Sequence, residues 1–108
     1  MELTPTIKML QQATNRLSDA SKEIFRLAQK KAETEREYRM ELAKVIFRLR
    51  DEKIPATIIG DCARGEVAEL KFQRDLAADM YRSALSAMEA LKSEINAIQT
   101  ITKYTGEI

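Results

Sequence analysis

The sequence predicts an all-α protein: a long antiparallel helical hairpin with a short connecting helix at the bend, dimerising into a bundle. Three observations carry this expectation. Only three glycines and two prolines occur in 108 residues, so loops are few and short. The stretches on either side of Ile54–Glu66 place apolar residues alternately three and four apart, the seam of one helix packed on another. Between them, Ile54–Glu66 holds the second proline and two of the three glycines. A hydrophobic content of 44% with 32% charged residues suits a folded, helix-rich chain rather than a disordered one.

The first helix starts at Thr4-Pro5. Threonine accepts a bond from a first-turn amide, and proline at the first helical position loses nothing by lacking an N–H. Its seam runs through Leu10, Ala13, Leu17, Ala20, Ile24 and Leu27. It weakens through Gln29–Glu37, where only Ala32 is apolar, and resumes one position later at Tyr38, Leu42, Val45 and Leu49. Such a shift is an inserted four-residue step, which locally unwinds a coiled-coil seam. No proline or glycine interrupts Thr6–Lys53, so one helix spans residues 5–53. In the polar middle, Glu33, Glu37 and Glu41 lie near Lys30, Arg36 and Arg39. This is a solvated face of weak ion pairs rather than a metal-binding carboxylate cluster.

A short helix over 56–63 follows. Pro55 suits its first position, Ile58, Ile59, Cys62 and Ala63 share an apolar side, and Gly65 closes the turn. This helix is expected to pack against Phe47 and Phe72, with Cys62 as an apolar filler. The third helix spans 66–103 with the seam Val67, Leu70, Ala77, Tyr81, Ala84, Met88, Leu91, Ile95 and Ile98, and Gly106 ends the helical region. Arg74 is the one polar residue at a seam position.

Folding the seams together at the bend sets Leu49 opposite Val67, Leu42 opposite Arg74, Tyr38 opposite Ala77, Ala28 opposite Met88, Ile24 opposite Leu91 and Leu17 opposite Ile98. Arg74 then pairs with Glu41 or a neighbouring carboxylate, because a charge at a seam needs a partner. In this register the first helix outruns the last by about two turns. Leu3, Ile7, Met9 and Leu10 are left without a partner, and Phe25, Met40, Phe47 and Phe72 fall off the seams. A two-helix core is marginal, so these residues point to a second copy or a protein partner.

Charge and side-chain chemistry narrow the function. The formal net charge is +1; residues 1–54 carry +3 and residues 55–108 carry −2. That balance disfavours non-specific attraction to nucleic acid or anionic lipid. With no histidine and one cysteine, Ser-His and Cys-His pairs and the usual zinc ligand sets are missing. Gly60 and Gly65 lack the Gly-Lys-Ser/Thr of a phosphate loop. The expectation is a non-enzymatic chain without cofactor or metal. A lone cysteine forms no intrachain disulfide and suits a reducing, cytoplasmic setting. No apolar run reaches the roughly 18 residues of a membrane span, and MELTPTIKML has no signal-peptide pattern.

Ala56–Ala63, a turn at Arg64-Gly65 and the following helix superficially resemble a helix-turn-helix. Around it, Arg48, Arg50, Lys53, Arg64, Lys71 and Arg74 are interleaved with Asp51, Glu52, Asp61, Glu66 and Glu69, six positive charges against five negative. A DNA-reading surface carries a clear basic excess, so nucleic-acid binding is an alternative only. The candidate partner-binding residues are Ile7, Leu10, Phe25, Ile58, Ile59, Arg64 and Lys71.

The segment from Leu49 to Ile98 also resembles small helical proteins encoded by temperate phages of Gram-positive bacteria. The residues that carry the likeness are Leu49, Arg50, Pro55, Thr57, Ile58, Ile59, Arg64, Gly65, Ala68, Leu70, Lys71, Arg74, Asp75 and Ala77. The resemblance implies a phage or prophage origin, the host cytoplasm as location, and no assigned biochemical activity. The expected function is thus a phage-type protein-interaction module that self-associates and binds a phage or host protein, in DNA metabolism or host takeover. The alternatives are a structural or assembly factor of the virion and a nucleic-acid-binding helical protein.

Overall fold

The computed structural model describes residues 4–106. Leu3 lies outside them. Three helices follow in order, α1 (Pro5–Asp51), α2 (Ala56–Glu66) and α3 (Ala68–Thr105), and the described residues contain no strand. The fold is an all-α helical hairpin in which α1 and α3 pack against each other. The start of α1 is the expected cap. The Thr4 hydroxyl accepts from the Ile7 amide at 3.3 Å, and Pro5 opens the helix. At the other end Gly106, with φ +72°, takes the left-handed position that stops α3.

The chain divides into two compact units, each holding part of both long helices. In the first, described over 4–26 and 82–106, Ala13 and Thr102 have no exposed surface and Ile98 is buried. A lone helix cannot bury a residue completely, so α1 here covers α3 down to Thr102. The Thr102 hydroxyl donates to the Ile98 carbonyl at 2.7 Å and is satisfied without water. Ile7 and Leu10 are therefore half-buried rather than left over; of the residues expected to project there, only Met9 is clearly exposed.

The second unit, Leu27–Tyr81, contains the bend. Its core cluster joins Tyr38, Val45 and Leu49 of α1, Ile59 and Ala63 of α2, and Val67, with Leu42, Ile46, Ile54 and Leu70 packed on it. α2 thus forms a third layer against α1. Its partners are not Phe47 and Phe72, which are 65% and 57% exposed. Of the four residues expected on its inner side, only Ile59 and Ala63 are buried; Ile58 and Cys62 face outward. Eleven residues of helix have room for a narrow buried stripe four apart, and 59 and 63 are that stripe.

The bend corrects the sequence reading on both of its sides. α1 ends at Asp51, not 53, in a Schellman arrangement: Ile54 N–H donates to the Leu49 carbonyl (3.1 Å) and Lys53 N–H to the Arg50 carbonyl (3.0 Å). Lys53 takes φ +60°, the left-handed position usually given to glycine. Ile54 packs into the cluster beside Leu49, the apolar contact that accompanies this cap. Pro55 is the residue before α2, with ψ 135°, not its first helical residue. At the far side Gly65 stops nothing. α2 runs through it to Glu66, and a single residue, Val67, separates α2 from α3. α2 therefore spans 56–66 rather than 56–63, and α3 begins at Ala68 and runs to Thr105, two residues past the expected end.

With α2 occupying the apolar surface of Val45 and Leu49, α3 meets α1 farther from the bend than a direct folding of the seams supposes. Arg74 lies not at Leu42 but over the Tyr38 ring, 4.2 Å from its centroid, and Lys31 lies 5.1 Å from the Tyr81 ring. The shift is about one helical turn, ~5 Å. Arg16 to Glu94, at 2.7 Å, follows the shifted register in the first unit as well. The polar middle of α1 also differs. Ala32 is exposed, and the buried residue is Thr34, whose hydroxyl donates to the Lys30 and Lys31 carbonyls (2.9 and 3.1 Å). The seam passes through Thr34 to Tyr38 because its polar group is satisfied inside its own helix.

Candidate interaction surfaces

Arg74 is the most constrained charge in the second unit. Its side chain is 24% exposed, stacked on Tyr38, 3.0 Å from Asp75 and 3.5 Å from Glu35. The expectation that it is paired holds, with Glu35 rather than Glu41 as its partner across the helices. Asp75 first, then Glu35, raise the Arg74 guanidinium above its ordinary value. Lys71 first, at 3.0 Å, and then Arg74 hold the Asp75 carboxyl below the usual carboxylate range. With Arg74 of α3 bound to Tyr38 and Glu35 of α1, the cluster reads as a clamp between helices.

The basic residues near the bend are largely neutralised. Arg48 bonds both Glu52, at 2.9 Å, and Glu66, which together raise its guanidinium. Arg64 bonds Asp61 and Lys71 bonds Asp75. The expected turn at Arg64-Gly65 is absent, since both lie within α2. The junction between α2 and α3 therefore lies at Val67, and four of the six cations, Arg48, Arg64, Lys71 and Arg74, are in ion pairs.

The seven candidate partner-binding residues do not form one surface. Ile7, Leu10 and Phe25 belong to the first unit, and Ile58, Ile59, Arg64 and Lys71 to the second. Phe25 is 79% exposed and Ile58 45% exposed, so both are open to contact. Ile59, at 9%, is core and is withdrawn as a contact residue. Ile7 and Leu10 are half-buried, and Arg64 and Lys71 are exposed but engaged.

What sequence reasoning passed over is a face of α3 in the second unit. Phe72, Leu76 and Met80 follow one another at intervals of four and are 57%, 42% and 45% exposed. Only Phe72 stood out in the sequence, because Leu76 and Met80 each immediately precede a seam residue and read as its neighbours. On α1 of the same unit a groove of about 260 Å³ is lined by Glu37, Met40, Glu41, Lys44 and, from α3, Leu70. Two further depressions, at Leu10–Asn15 and at Thr100–Tyr104, are each lined by one helix alone.

Comparison with known proteins yields no matching family model, no matching curated sequence and no matching solved structure. The surfaces themselves carry the functional argument. Among the described residues no group of three or more Cys, Asp or Glu is arranged to hold a metal ion, and no helix is long and apolar enough to cross a membrane. Among the described residues eleven large hydrophobic side chains are exposed.

Proposed function

We propose that this chain is a non-enzymatic protein-interaction module that self-associates and binds a phage or host protein in the host cytoplasm. The observation that carries the reading is the set of eleven large hydrophobic side chains exposed among the described residues. Exposed apolar side chains that follow one another along a helix, as Phe72, Leu76 and Met80 do on α3, mark an interaction site on a small protein. The phage setting, with a role in DNA metabolism or host takeover, rests on the resemblance across Leu49–Ile98.

Two measurements test the proposal. Sedimentation at micromolar concentration gives a species heavier than one chain. Pull-down of the tagged protein from lysogenic or infected cells retains a partner that survives high salt, as apolar contact requires. A monomer with no retained partner refutes the reading. Retention of nucleic acid with a steep salt dependence, lost on removing the charges of Lys53, Arg64 and Lys71, replaces it with the nucleic-acid alternative.

A further inference from the structure

We infer that the fold carries a conformational device: the first unit opens as one piece, its two arms parting while the second unit stays folded. The arms are the described residues 4–26 of α1 and 82–106 of α3. The opening needs no partner, and so goes beyond the proposed function.

The two units are covered very unequally. In the second, six buried residues, Tyr38, Val45, Leu49, Ile59, Ala63 and Val67, form one cluster to which both α1 and α2 contribute. In the first, three described residues are buried, Ala13, Ile98 and Thr102, and only Ile98 is a large apolar side chain. Two helices that cover each other without a third layer make a marginal core. Few buried apolar residues mark the part of a molecule that opens below the free energy of global unfolding.

The positions of those three residues make the opening cooperative. Along α1 the next buried residue after Ala13 is Leu27, and along α3 the last before Ile98 is Ala77, both of the second unit. Between them the seam residues Leu17, Ile24, Met88, Leu91 and Ile95 are only half-buried. Once Ala13, Ile98 and Thr102 are uncovered, no buried residue is left within the unit to halt the separation.

Polar contacts do not oppose it. Arg16 and Glu94 join the arms at 2.7 Å, but their side chains are 56% and 42% exposed, and such pairs contribute little. The Thr102 hydroxyl donates to the Ile98 carbonyl of its own helix, so parting the arms strands no polar group there. What the opening changes is apolar: Leu17, Ile24, Met88, Leu91, Ile95 and Ile98 pass from a shared seam into water.

Native-state hydrogen exchange on the full chain, read amide by amide at one protein concentration, tests this. Amides of residues 13–24 and 84–102 are expected to share one protection factor, at least ~100-fold below that of the seam amides of the second unit. Mild core variants then separate the opening from unfolding of the whole chain. Val45→Ala and Ile59→Val weaken the second unit in the closed and the open form alike. They are expected to speed its exchange about tenfold and about fivefold and to leave the first unit unchanged. Ile98→Val weakens only the closed form, and speeds exchange in both units by one common factor, about fivefold. A first unit that responds to Val45→Ala and Ile59→Val as strongly as the second is part of a single cooperative chain, which overturns the inference. Protection that declines steadily from residues 26 and 82 toward the chain ends is fraying rather than a joint opening, and overturns it equally.

Discussion

The left-handed residue at the bend is a lysine, while a glycine twelve positions later is an ordinary helical residue; exchanging their chemistry makes a sharp test. At Lys53, with φ +60°, a Cβ is held against the following carbonyl, which costs ~1–2 kcal/mol for an L-residue. Glycine removes that cost but gives back ~0.5–1 kcal/mol through its greater freedom in the unfolded chain. Lys53→Gly should therefore exceed Lys53→Ala in stability by about 0.5–1 kcal/mol. Alanine is the right reference because both variants lose the lysine charge near the C-terminus of α1. Gly65 is the converse. It lies inside α2, its φ is not positive, and a Cβ built there meets nothing within 4 Å. Gly65→Ala should stabilise the wild type by about 0.8–1 kcal/mol, the helix-interior difference between the two residues. Urea unfolding at one fixed protein concentration reads both effects. With a slope of ~1–3 kcal/mol/M, midpoints shift upward by roughly 0.3–0.8 M. Lys53→Gly no more stable than Lys53→Ala refutes the bend geometry. A destabilising Gly65→Ala means that α2 stops at Gly65 after all.

Three further outcomes follow from the packing. Leu49→Ala removes three buried carbons and the cap contact with Ile54, and should cost about 3 kcal/mol in urea titration. Phe25→Ala, at 79% exposure, should cost under ~0.5 kcal/mol, and similar costs for the two would contradict the assigned core. Asp75 and Glu23 have depressed folded pKa values, through Lys71 and Arg26 respectively as first causes. Their contribution is thus present above the ordinary carboxylate range and lost as pH falls through the depressed values. Thermal melts should show the gap between wild type and Asp75→Asn closing from pH 6 to pH 2, and a gap that widens would reverse the sign. Cys62 should label with a maleimide in the native protein as fast as after unfolding, since it is exposed. Protection until denaturant is added would return it to the interior.

Much of the hairpin was legible because helix periodicity is local. Each long stretch marks its own buried stripe, and Leu17, Leu27, Tyr38, Val45, Ala77 and Ile98 are covered where their spacing placed them. Thr4 and Gly106 were legible for the same reason, since capping depends on a few neighbouring residues. Thr34 was missed because a hydroxyl that bonds its own helix carries no apolar signal. Of Ile58 and Ile59, adjacent and chemically identical, the sequence offers no ground for choosing which is core. The candidate surface was the least legible part. Leu76 and Met80 differ from seam residues only in the angle they take once a partner helix is present.

The amino-acid sequence by itself determined that there are two long helices, and which stripe of each is apolar. Tertiary structure alone decided where α3 lies along α1. Seams that repeat every three and four residues pair almost equally well when slid by one turn. The choice is made non-locally, by α2 filling the surface of Val45 and Leu49 with Ile59 and Ala63. Within the second unit that placement seats Arg74 on Tyr38 beside Glu35 and leaves Phe72, Leu76 and Met80 uncovered.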